Sequence, residues 1–169
     1  VTVKYQEVWE IGFTGIKEKA EAQLASRSLA DGDYQGKSRF LEAVMISCDA
    51  AVTYARRYAR LVLEKAQSCE DPVRQKELLQ IAQNCANVPE RGADGFYEAC
   101  QSFWFVQQLL QIVSSGHSIS PGRIDQYLSP YYQLEIESGK IKKESATVMM
   151  DCVWVSLNDV TKFRSVVSA

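Results

Sequence analysis

From Val8 to Leu29, Trp9, Phe13, Ile16, Ala20 and Leu24 recur every three or four positions with charges between them, the signature of an amphipathic helix. Gly12 and Gly15 weaken it, since each costs about 1 kcal/mol against Ala in a helix interior. Asp31-Gly32-Asp33-Tyr34-Gln35-Gly36 then reads as a short loop. From Ser38 to about Ala66 a second helical stripe places Phe40, Val44, Cys48, Val52, Ala55, Tyr58 and Val62 on one face, with Glu42, Arg56, Arg57 and Arg60 on others. Asp71-Pro72 marks a helix start with Pro in the first turn. That helix turns Leu78, Leu79, Ile81, Ala82 and Cys85 inward, and Asn87-Val88-Pro89 ends it, because the residue before Pro avoids the helical region.

The next helix, Phe96 to Val113, carries one charge in eighteen residues. A helix apolar nearly all round belongs inside a large protein, and a chain of this size has little mass to wrap it. Ser114 to Gly122 is turn-rich, with an extended piece through Ile119. Arg123 to Gln133 reads as a short helix interrupted at Pro130, with Ser138-Gly139 as the stop. A last helix, about Glu144 to Asn158, collects Ala146, Met149, Met150, Val153, Trp154 and Leu157 on one side. The chain is mainly α, without repeats or low-complexity tracts.

Composition narrows the classes. With 169 residues the chain can bury roughly 70% of its unfolded surface. Hydrophobic residues at 46% and charged residues at 24% are globular values, which exclude disorder. Nineteen basic against twenty-one acidic residues leave a formal charge of −2, so neither nucleic acid nor an anionic membrane is an expected partner. No run of apolar residues is long enough to span a bilayer. The first residues show no signal peptide and no initiator Met, which points to a processed, trimmed or excerpted chain. Cys48, Cys69, Cys85, Cys100 and Cys152 are odd in number and widely spaced, which argues against a disulfide framework and for a reducing, cytoplasmic setting. With one histidine and no Cys-x-x-Cys pair, no metal site is expected.

Three constellations have competing readings. Asp94 and Glu98 share a helix face as paired carboxylates would, yet acids at a helix start more often answer its dipole. Arg56, Arg57 and Arg60 form a basic cluster, but Glu42 and Glu64 lie within helical reach, so ion pairing outweighs a phosphate site. The cysteines mostly sit on apolar faces, where a thiol behaves as a small hydrophobe. The segment Gly116-His117-Ser118-Ile119-Ser120-Pro121-Gly122-Arg123 differs: its histidine and hydroxyls can hold a polar ligand, or can simply satisfy one another in a turn. No base or acid stands beside them, so this is not a nucleophilic triad.

Residue by residue, the run Phe96-Tyr97-Glu98-Ala99-Cys100-Gln101-Ser102-Phe103-Trp104-Phe105, the Gly116–Arg123 segment, Asp125-Gln126-Tyr127 and Pro130-Tyr131-Tyr132 resemble the pyruvate formate-lyase-like glycyl radical enzymes. Asp49-Ala50-Ala51 with Tyr54 to Ala59, Asn84-Cys85 leading to Val88-Pro89, and Gly12-Phe13 with Gly15-Ile16-Lys17 look like the same family. The glycerol/diol dehydratase and aryl-acetate decarboxylase branches are the most similar. The resemblance implies a cytoplasmic enzyme of anaerobes built on a ten-stranded α/β barrel wrapped by helices. It also implies a glycyl radical installed by a radical S-adenosylmethionine activase, a thiyl cysteine, a small-molecule substrate and a homodimer. His117, contacting hydroxyls, and Ser118, contacting a polar substrate end, are the implied substrate-binding residues. Arg123 and Asp125 read as structural partners holding the loop.

The departures define what this chain lacks. No cysteine stands in a Gly-Cys-Val-Glu-like motif and no glycine in an Arg-Val-x-Gly-Tyr-like one, so no catalytic residue is expected within it. Gly95 and Lys142 replace the hydroxyl residue expected at each helix start, a small loss of capping. The expectation is a single partial domain over residues 1–169: a helical segment of a dehydratase or lyase that needs the remainder of a longer chain. The alternative is a stand-alone helical binding or scaffold module, which would require polar residues on the outward face of Phe96–Val113.

Overall fold

The computed structural model describes residues 3–28, 32–114 and 119–160. Among them are six helices and no strand element: α1 Tyr5–Ala25, α2 Tyr34–Gln67, α3 Pro72–Asn87, α4 Phe96–Ser114, α5 Ile124–Glu137 and α6 Lys143–Asp159. The mainly α expectation therefore holds. The helices fall into two units, Gln6–Ala93 and Asp94–Ala169, with the residues up to Tyr5 belonging to the latter.

In the Gln6–Ala93 unit, α2 and α3 pack along each other as a hairpin. The buried strip of α2 is Leu41, Cys48, Ala51 and Ala55, joined by Ser38 and Ala66. This corrects the sequence stripe: Phe40 is 67% exposed and Tyr58 also faces outward, because the strip against α3 runs along the small residues beside them. The expected loop at Asp31–Gly36 is also shorter, since α2 begins at Tyr34 after an Asp33 in the left-handed region (φ 54°). At the start of α3 the Asp71 carboxylate accepts from the Val73 and Arg74 amides at 2.9 and 3.4 Å, as the Asp-Pro signal predicts. α3 buries Ala82, Asn84 and Cys85, ends at Asn87, and leaves Leu79 exposed, against expectation.

Helix α1 is broken at Gly12, whose φ of 66° and ψ of 178° are open to glycine alone. The break leaves backbone groups that a distant segment satisfies. The amides of Phe13 and Thr14 donate to the carbonyls of Pro89 and Glu90 at 2.8 and 3.0 Å, and the Ala93 amide donates to the Trp9 carbonyl at 2.7 Å. The approach is close enough that a Cβ on Gly12 would overlap Glu90 O, and one on Gly92 would stand 2.5 Å from Glu10 O. Lys17 reaches Asp49 at 2.8 Å and Arg56 reaches Glu90, so both α1 and the 89–93 segment are tied to α2.

In the other unit α4 packs on α5 and α6. Phe96, Ala99, Cys100, Ser102, Phe103, Phe105, Val106 and Gln107 are all buried, as a nearly charge-free helix requires. Its last turn is not: Ile112 and Val113 are 64% and 84% exposed. Helix α5 runs through Pro130 without the expected interruption, since a proline removes only one helical hydrogen bond and the inward side chains Ile124, Leu128 and Glu135 hold both sides. It extends past Gln133 to Glu137, where Ser138-Gly139 stops it as expected. In α6, Ala146 and Val153 are buried while Trp154 is half exposed, which moves it off the predicted inner face. No helix among the described residues is long and apolar enough to cross a membrane.

Candidate functional site

His117 and Ser118 lie outside the described residues, and the structure gives the frame on either side of them. Leading in is α4, whose buried Gln107 accepts a hydrogen bond from the Tyr5 hydroxyl at 2.5 Å, while the Tyr5 ring packs on Phe103 with centroids 5.0 Å apart. Burial pushes the Tyr5 phenol up to about 12, so it remains a donor at physiological pH. Leading out, the Gly122 amide donates to Ser120 Oγ at 3.1 Å and the Arg123 amide to the Tyr127 hydroxyl at 3.3 Å. Arg123 and Asp125 pair with each other, with Nε to Oδ1 and Nη2 to Oδ2 both at 3.1 Å. The paired guanidinium holds the Asp125 carboxyl below its usual range. These contacts fix the start of α5, which has no side-chain cap of its own.

The other constellations resolve into structural roles. Glu98 Oε2 accepts from the Asp94 amide at 2.8 Å, so this acid serves the start of α4. Arg56 finds its partner in Glu90 rather than in Glu42 or Glu64, with Nε to Oε2 at 2.8 Å and Nη2 to Oε1 at 2.7 Å. Cys48, Cys85 and Cys100 are buried. Desolvation raises all three thiols, those of Cys85 and Cys100 to about 12, which makes them poor thiolates.

One residue escaped the sequence reading. Glu135 is 3% exposed and its Oε2 accepts from the Phe96 amide at 3.0 Å, capping α4 from α5. Its Oε1 meets Lys140 Nζ at 2.5 Å, and that hydrogen bond keeps the lysine protonated more firmly than usual. The missing hydroxyl at Gly95 is thereby replaced by a carboxylate from another helix. The signal was present in the sequence, since Glu135 falls at helical spacing from Ile124, Leu128 and Tyr132, an acid on an otherwise apolar stripe.

The sequence matches the pyruvate formate lyase-like family across residues 1–169. The isethionate sulfite-lyase of Desulfovibrio desulfuricans is 44% identical over 155 residues, 90% of this chain and 19% of that protein. The (2S)-3-sulfopropanediol dehydratase of Klebsiella oxytoca is 35% identical over 97% of this chain and 20% of its own length. Among solved structures, one concerned with 1,2-propanediol dehydration in Roseburia inulinivorans superposes with a TM-score of 0.95 at 52% identity, covering 99% of this chain and 20% of that one. The glycerol-bound B12-independent glycerol dehydratase from Clostridium butyricum gives 0.93 at 44%, covering 99% and 21%. The chain thus spans about a fifth of the length of the relatives it matches.

Proposed function

The chain belongs to the pyruvate formate lyase-like family, and from that premise we propose that it is one partial domain of a glycyl radical dehydratase acting on a small polar substrate such as glycerol or another vicinal diol. The observation that carries the reading is the match along 99% of this chain, at 52% identity, to the structure concerned with 1,2-propanediol dehydration. Within that enzyme His117 contacts substrate hydroxyls and Ser118 a polar end of the substrate. Both belong to the segment strung between α4 and α5, and an imidazole suits hydroxyl recognition because it can donate or accept near neutral pH.

The radical chemistry belongs to the remainder of the longer chain. A glycyl radical, installed by a radical S-adenosylmethionine activase, supplies hydrogen abstraction through a thiyl cysteine. None of the residues here fits either role, because the matching motifs are missing and Cys48, Cys85 and Cys100 are buried protonated thiols. What this chain contributes is binding and orientation. The working enzyme is a cytoplasmic homodimer.

The test starts from the polypeptide as its source makes it, whose mass should be several times 19.0 kDa. In that full-length enzyme, activated without oxygen, His117→Ala and Ser118→Ala should lose diol turnover while the glycyl radical signal stays at the wild-type level. Normal turnover by both variants would remove the binding assignment, and a native mass of 19.0 kDa would replace the enzyme reading with a stand-alone helical module.

A further inference from the structure

We draw no further inference here: the strongest candidate, the outward side of α6 where Val148, Cys152 and Val155 stand exposed, is a partly apolar helix face interrupted by the exposed acids Glu144, Asp151 and Asp159, and nothing in the structure shows what covers it.

Discussion

Arg56 and Glu90 meet in a two-pronged ion pair although 34 residues separate them, and the carboxylate belongs to the same residue whose carbonyl caps the second half of α1. The guanidinium therefore holds the closing segment in place on α2. A lysine keeps the charge but presents a point donor in place of a planar fork. Arg56→Lys should lower Tm measurably, whereas Arg57→Lys, on an exposed neighbour, should leave it unchanged. Equal melting curves would show that the pair contributes only as a screened surface contact.

The joint at Gly12 predicts a sharp contrast among glycines. Gly12→Ala forces a side chain into a glycine-only backbone region and against Glu90 O, and should destabilise by about 3 kcal/mol. Gly92→Ala should cost about 1–3 kcal/mol by crowding Glu10 O from the other side. Gly32→Ala meets no atom within 4 Å and should be neutral or slightly stabilising. Chemical denaturation of the three variants checks the order, and a Gly12→Ala protein as stable as Gly32→Ala would contradict the described joint.

Asp71 supplies a local test. Its carboxylate takes two of the free amides of α3, so Asp71→Ala should cost about 1 kcal/mol while Asp71→Asn costs little. Hydrogen exchange at the Val73 and Arg74 amides should quicken in the alanine variant alone.

The thiols predict an alkaline limit. Cys85 and Cys100 titrate near 12 in the folded chain against an ordinary 9.0, so the native state keeps protons that the unfolded chain sheds. Their contribution is whole below pH 9, declines above it, and is gone once pH passes about 12. The denaturation midpoint should fall across that window, and less steeply in the Cys85→Ala, Cys100→Ala double variant. A thiol reagent should label exposed Cys152 first, and Cys48, Cys85 and Cys100 only on unfolding. Rapid native labelling of Cys100 would contradict its burial.

The sequence was most informative where the cause of a structure lies within a few residues of it. Asp71-Pro72 and Val88-Pro89 delimit α3 because capping and proline sterics act locally. The near absence of charge between Phe96 and Val113 foretold a buried α4. Periodicity failed where an apolar arc is wider than the strip that packs: Phe40, Leu79 and Trp154 fit their helical stripes yet face outward. It also failed where the cause lies far along the chain. Nothing near Gly12 announces that residues 89–93 complete its hydrogen bonds, and nothing near Gly95 announces that Glu135 supplies its cap. His117 and Ser118 were singled out by the motif run alone, while the Tyr5–Gln107 and Phe96–Glu135 contacts join residues 102 and 39 positions apart and leave no local trace in the sequence.

The break in α1 also constrains the order in which this part of the protein is built. The half from Phe13 to Ala25 is of the length at which an isolated helix is marginal in water, and the half before Gly12 is shorter still. Their junction is closed by amides and carbonyls that leave the ribosome some eighty residues later. Helix α1 is thus completed only after α2 and α3 have been made: synthesis must reach Pro89 before Phe13 finds its acceptor and Ala93 before Trp9 finds its donor. Stalling or cleavage short of that residue would release a chain whose α2–α3 hairpin can form while α1 remains frayed.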